Sequence, residues 1–146
     1  MLAAVEKQLT ESCDVFIASA AVADYRPVSV ADQKIKKQSG SDEMTITMVQ
    51  NPDIVATVAA RSNRPFVVGF AAETNDVIGY AKSKLERKNL DMIVANDVSQ
   101  AGIGFNSDNN EVHIISPSEL IHVPKMDKNS LANTIALRIV KNMGLE

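Results

Sequence analysis

Residues 65–72, PFVVGFAA, constrain the fold more than any other stretch of the chain. Their apolar character is continuous rather than alternating, which is the pattern of a strand covered on both faces. Such a strand requires helical layers on either side, and the flanking segments carry the spacing to supply them. Residues 14–20, DVFIASA, read as a second buried strand, and Leu90 to Ala95 as a third that ends at Asn96 and Asp97. Apolar residues recur at helical intervals between them: Leu2, Val5 and Leu9, then Ile54, Val55 and Val58, then Val77, Ile78, Ala81 and Leu85. Asn51-Pro52-Asp53 predicts the start of the second helix, with Asn as cap, Pro in the first turn and Asp at the positive end of the dipole, and the helix should run to about Ala60. The third helix should start near Asn75 and Asp76. Glu111 to Ser116 predicts a further strand with Leu120 to Val123 as its hairpin partner, and Ser130 to Met143 a closing amphipathic helix ended by Gly144. Alternating strands and helices predict an α/β fold of three layers around an open, mainly parallel sheet. Ligands are expected beyond the carboxyl ends of its strands.

Composition narrows the function. A chain of 146 residues that is 45% hydrophobic and 23% charged is expected to form one domain, residues 1–146, and to bury its core without staples. A net charge of -3 and the lack of tryptophan argue against a general nucleic-acid binder, while small anions remain admissible partners. Cys13 is the only cysteine, so neither an internal disulfide nor a cysteine-rich zinc site can form, and its place before an apolar run reads as a small buried residue. His113 and His122 fall in the late strands and read as structural. No segment has the pattern of a signal peptide or a membrane span, which points to the cytoplasm and no membrane partner. The loop GIGFNSDNN lacks the third glycine and following helix of a dinucleotide fingerprint, and its acids lack EF-hand spacing. There is no Walker loop and no histidine-based triad.

The chemistry concentrates between Ala18 and Lys37. Ala18, Ser19, Ala20 and Ala21 have short side chains that either admit a ligand close to the backbone or make room for helix packing. Beyond them come a single acid, Asp24, and the basic cluster Lys34, Lys36 and Lys37. Together these could hold a metal-bound polyphosphate, the carboxylate ligating the cation and the lysines neutralising phosphate oxygens; alone, the basic run reads as a solvated surface. The Ser39-Gly40-Ser41 tip between KIKKQ and MTITMV predicts a two-stranded flap, with Lys34 and Lys36 on one face, able to close over an anion. Phe70 is either core or a ring that packs on a base or sugar. Lys84 and Lys88, four apart, share a helix face that suits either phosphate or water. Asp24, Phe70 and the start of the Asn51 helix are expected along the strands' carboxyl rim. Residue chemistry by itself reaches a nucleotide or phosphate site.

At these same residues the chain resembles phosphopantothenoylcysteine synthetase, the CTP-dependent ligase of coenzyme A biosynthesis that often forms the carboxyl half of a bifunctional flavoprotein. The matching blocks are AAVADYRP (20–27), KIKK (34–37), NPDIVA (51–56), VGFAAET (68–74), KNLDMIVAND (88–97) and GFNSDNN (104–110). The resemblance implies a Rossmann-like fold with a flexible basic flap, a homodimer, and a two-step reaction. CTP activates the carboxylate of 4'-phosphopantothenate as an acyl-cytidylate, and the amine of L-cysteine then displaces CMP. It implies that Ala18, Ser19 and Ala20 contact the nucleotide, that Ala21 lies near the acyl intermediate, and that Asp24 engages the nucleotide and its Mg2+. Lys34 becomes the catalytic lysine, Pro52, Asp53, Ile54, Val55 and Phe70 line the CTP pocket, and Lys84 and Lys88 reach the phosphates. FMN would belong only to the decarboxylase domain of the full-length protein. The family opens with a strand, a glycine- and serine-rich turn and a helix that are expected to be missing here, so full turnover is expected of the complete domain. The reading from another class is a nonenzymatic nucleotide-binding or dimerisation module.

Overall fold

The computed structural model describes residues 1–36, 42–99 and 107–145. In chain order the elements are α1 (Leu2–Gln8), β1 (Val15–Ala18), β2 (Tyr25–Pro27), β3 (Met48–Gln50), α2 (Ile54–Ala59), β4 (Phe66–Glu73), α3 (Val77–Arg87), β5 (Met92–Asp97), β6 (Asn109–Ser116), β7 (Glu119–Asp127) and α4 (Lys128–Asn142). They fall into two compact units, one made of Met1–Ser19 with Ile54–Glu146, the other of Ala20–Asp53.

The larger unit is built on a five-stranded sheet of order β1-β4-β5-β6-β7. β1, β4 and β5 run parallel, and β6 and β7 continue the sheet antiparallel as the expected hairpin. Alternate residues of each strand enter different cores, as the period of two demands. Val67 and Ala71 of β4 and Ile93 and Ala95 of β5 join one buried cluster with Val58 and Ala59 of α2 and Ala81 and Leu85 of α3. Val68, Met92 and Val94, with Val112, Ile114 and Val123 of the hairpin, join a second cluster under Leu131, Ile135 and Ile139 of α4. The unit therefore has the three layers that a strand apolar on both faces requires, with each fully buried aliphatic side chain stabilising it by about 1.5–3 kcal/mol. Gly69 serves this packing: a side chain there would come within 2.7 Å of the Leu90 Cδ1.

Polar groups fix the ends of the elements. Asp76 caps α3 from a left-handed conformation (φ 41°), its carboxylate accepting from the Gly79 amide, and any side chain at Gly79 would overlap that carboxylate. Asp127 caps α4 by accepting from the amides of Asn129 and Ser130, and Gly144 ends it at φ 69°. Arg64 grips both oxygens of Asp91 at 2.9 and 2.7 Å, while Asp91 also accepts from the Val67 amide, tying the starts of β4 and β5 together.

Several expectations fail for identifiable reasons. Among the described residues β1 pairs with β4 alone, and where burial was expected its residues are half-buried, with Ile17 47% exposed. Cys13 is likewise exposed rather than buried, its thiol donating to the Val15 carbonyl. α2 starts at Ile54 and not at Asn51, whose side chain is engaged elsewhere.

The smaller unit pairs β2 with β3 antiparallel, Tyr25 opposite Gln50 and Pro27 opposite Met48. Within MTITMV, Met48 and Val49 belong to this ladder, opposite Pro27 and Arg26. Lys34, Ile35 and Lys36 lie outside any strand, so the face-sharing inferred for them has no ladder to enforce it. Lys37 and the Ser39-Gly40-Ser41 tip lie outside the described residues, as do Gly102 and Gly104.

Candidate functional site

Because β1, β4 and β5 are parallel, their carboxyl ends open on one side of the larger unit. Ala18 is the last residue of β1 and registers with Gly69, so it stands beside Phe70 on the neighbouring strand. Phe70 departs from the buried run Val67–Gly69: its ring is 40% exposed although β4 is a central strand. Phe70 is therefore not a core residue of this unit, and its exposed ring is a flat apolar surface of the kind that can stack. β4 then ends at Glu73, opposite Asp97 of β5.

α3 returns a cation to this rim. Lys84 Nζ lies 2.6 Å from the Glu73 Oε1, with side-chain exposures of 35% and 18%. Lys88 ends the same helix one turn later, its amide bonded to the Lys84 carbonyl. The two lysines are placed as their spacing predicted, but Lys84 already has an anionic partner in Glu73. Sequence reasoning passed over Glu73, although the signal was present: a carboxylate immediately after a continuous apolar strand, on the rim where ligands bind. Asp97 is held separately, accepting from the Ser99 amide and hydroxyl at 2.9 and 2.6 Å. Ile54 and Val55 are half-buried in the first turn of α2 and pack against the first core cluster, so their side chains serve the fold as well as any pocket.

The smaller unit carries the other candidates. Ala20, Ala21, Asp24, Lys34, Pro52 and Asp53 are all exposed. Asn51 holds the stretch around Asp24: its amide donates to the Asp24 carbonyl at 2.7 Å, its side-chain nitrogen to the Ala23 carbonyl at 2.8 Å, and its side-chain oxygen accepts from Arg26 at 2.9 Å. The NPD block is therefore a clasp on the AAVADYR segment, with the helix following it. Asp24 is held through its backbone carbonyl, and the residue is exposed. A single exposed carboxylate suits Mg2+ that arrives with a nucleotide, since this ion keeps several waters and takes one or two carboxylates plus phosphate oxygens. No group of three or more His, Cys, Asp or Glu that could hold a metal by themselves occurs among the described residues.

A model of the DNA/pantothenate metabolism flavoprotein C-terminal domain matches residues 1–143. The chain belongs to that family. It is 56% identical over 144 residues to the coenzyme A biosynthesis bifunctional protein CoaBC of Vibrio cholerae, covering 98% of this chain and 36% of the relative. It is 60% identical over 116 residues to the CoaBC of Escherichia coli, covering 78% of this chain and 28% of the relative. The crystal structure of the C-terminal domain of a CoaBC superposes with a TM-score of 0.73 at 34% identity, over 99% of this chain and 60% of that one. The chain thus spans about a third of the length of the curated relatives it matches. Its α/β architecture is that of the CoaBC C-terminal domain. Among the described residues, no helix is long and apolar enough to cross a membrane.

Proposed function

We propose that this chain is the larger part of a domain that joins 4'-phosphopantothenate to L-cysteine in coenzyme A biosynthesis, using CTP and Mg2+. The observation that carries the reading is family membership over residues 1–143 together with 56% identity to a coenzyme A biosynthesis protein across nearly the whole chain. The exposed Phe70 ring at the carboxyl rim supports a stacked base.

In the first step a carboxylate oxygen of 4'-phosphopantothenate attacks the α-phosphorus of CTP; the new P–O bond forms as the bond to pyrophosphate breaks, giving an acyl-cytidylate. The amine of cysteine then attacks the acyl carbon, the amide forms and CMP departs. Ala18, Ser19 and Ala20 present backbone to the nucleotide, Ala21 lies near the acyl group, and Pro52, Asp53, Ile54, Val55 and Phe70 line the pocket. Lys84 and Lys88 bind phosphate oxygens. Asp24 would hold Mg2+, which neutralises phosphate charge when bound. Lys34 is the catalytic residue, its ammonium donating to the oxygens on which charge grows as the phosphoanhydride opens. The reading includes a homodimer, a cytoplasmic location and a decarboxylase domain in the complete protein, to which FMN is left.

The test is pyrophosphate release by the complete domain. Release should require both CTP and 4'-phosphopantothenate with Mg2+, and added cysteine should convert the intermediate to CMP and amide. CTP turnover indifferent to 4'-phosphopantothenate would refute the assignment.

A further inference from the structure

Lys84, a proposed phosphate ligand, is already oriented by the Glu73 carboxylate at the rim. That carboxylate is the more buried member of the pair, 18% exposed against 35% for Lys84, so the acid is the anchor and the lysine the mobile partner. Glu73 is itself fixed at three points. Its backbone belongs to the end of β4, it registers with Asp97, and its carbonyl accepts from the Val98 amide at 2.9 Å. Lys84 sits in the last turn of α3, whose Ala81 and Leu85 are buried in the core below. Strand and helix are both rigid supports, so the 2.6 Å contact fixes where the ammonium can be.

We infer that Glu73 is a positioning residue for anion binding: it holds the Lys84 ammonium at the carboxyl rim before a polyphosphate arrives. A lysine side chain has four rotatable bonds and loses considerable rotamer freedom when it grips a ligand. An ion pair formed in advance removes most of that loss from the binding step. The ammonium has three donors and the contact to Glu73 occupies one, leaving the others for phosphate oxygens. One oxygen of the neighbouring Asp97 accepts from the Ser99 amide and hydroxyl. The role deepens the ligase reading and rests on it for the identity of the anion.

The experiment uses the full chain with side-chain ammonium NMR, the Lys84 signal being assigned through Lys84→Arg, and calorimetric titration with inorganic triphosphate and with Mg-CTP. In the free wild type the Lys84 ammonium should be protected from solvent exchange. Glu73→Ala should abolish that protection and weaken triphosphate about fivefold, the loss expected for one re-mobilised long side chain. Glu73→Gln keeps an acceptor oxygen in place and should recover most of the affinity, which a bulk charge effect would not allow. Tighter or unchanged binding by a folded Glu73→Ala variant would overturn the proposal and make Glu73 a competitor or a bystander. A protected Lys84 with no wild-type binding of triphosphate would overturn the anion role itself. Binding of triphosphate with the predicted Glu73 dependence, but no preference for CTP, would retain the positioning role and reject the CTP reading instead.

Discussion

The two units of this chain are stabilised in different ways. The larger has buried clusters on both faces of a central sheet, with Met92, Ile93, Ile114 and Ile115 almost wholly enclosed. In the smaller, every described residue is exposed except Asn51, which is half-buried. Its order rests on a short β2–β3 ladder and on the hydrogen bonds that converge on Asn51. Burial therefore makes the first unit a scaffold, while the second is held by a few polar contacts that water can replace at small cost. The candidate residues divide accordingly: Phe70, Lys84 and Lys88 stand on rigid elements, and Asp24 and Lys34 on a segment with little core of its own.

The contrast is broken most directly by removing aliphatic bulk from each unit. Ile114→Ala in the second cluster should cost about 2–5 kcal/mol in denaturant unfolding, whereas Val30→Ala, at a residue 88% exposed, should cost under about 0.5 kcal/mol. Comparable losses from both would dissolve the distinction. Next in size, Lys34→Ala in the complete protein should slow acyl-cytidylate formation by on the order of 10²–10³ while leaving the unfolding midpoint unchanged. Normal intermediate formation would remove Lys34 from its assigned role. Asn51→Ala should lower the local stability of the smaller unit by about 1–2 kcal/mol, seen as faster amide exchange in β2 and β3 with α3 and β5 unaffected. Exchange that rises equally in β5 would show that the clasp supports the larger core.

The smallest effect concerns pH. His113 stacks near His122 across the β6–β7 hairpin, ring centroids 5.1 Å apart, and His122 meets Glu111 at 3.0 Å. Burial, aided by the like charge of His122, lowers the His113 pKa, with Glu111 pulling the other way. A lowered folded-state pKa favours the neutral ring, so its contribution to stability is full above the unfolded value of about 6.5 and is lost as pH falls through the folded pKa. His113→Gln should flatten the decline in stability on acidification below that window. An unchanged slope would exclude His113 as its source.

What the residues revealed before any coordinates depended on the kind of force at work. PFVVGFAA and LDMIVA declared central strands because burial on both faces leaves a continuous apolar run, and Asp76 and Gly144 marked helix ends through local backbone chemistry. DVFIASA carried the same apolar signature, yet among the described residues it pairs with β4 alone and is only partly buried, because which strands meet is a property of the whole sheet that no local pattern encodes. Asn51 misled for a related reason. Its cap-like setting is local, whereas its bonds to Ala23 and Arg26 join residues distant in sequence. The pairing of Glu73 with Lys84 was invisible for the same cause: spacing showed two lysines on one helix face, but their anionic neighbour comes from a different element.

The central claim is that this chain carries the residues that recognise CTP. Calorimetric titration of a folded sample with CTP and with ATP, each with Mg2+, tests it most directly. The account predicts saturable binding of CTP and markedly weaker binding of ATP. Equal or tighter binding of ATP, or no heat with either nucleotide, would contradict it.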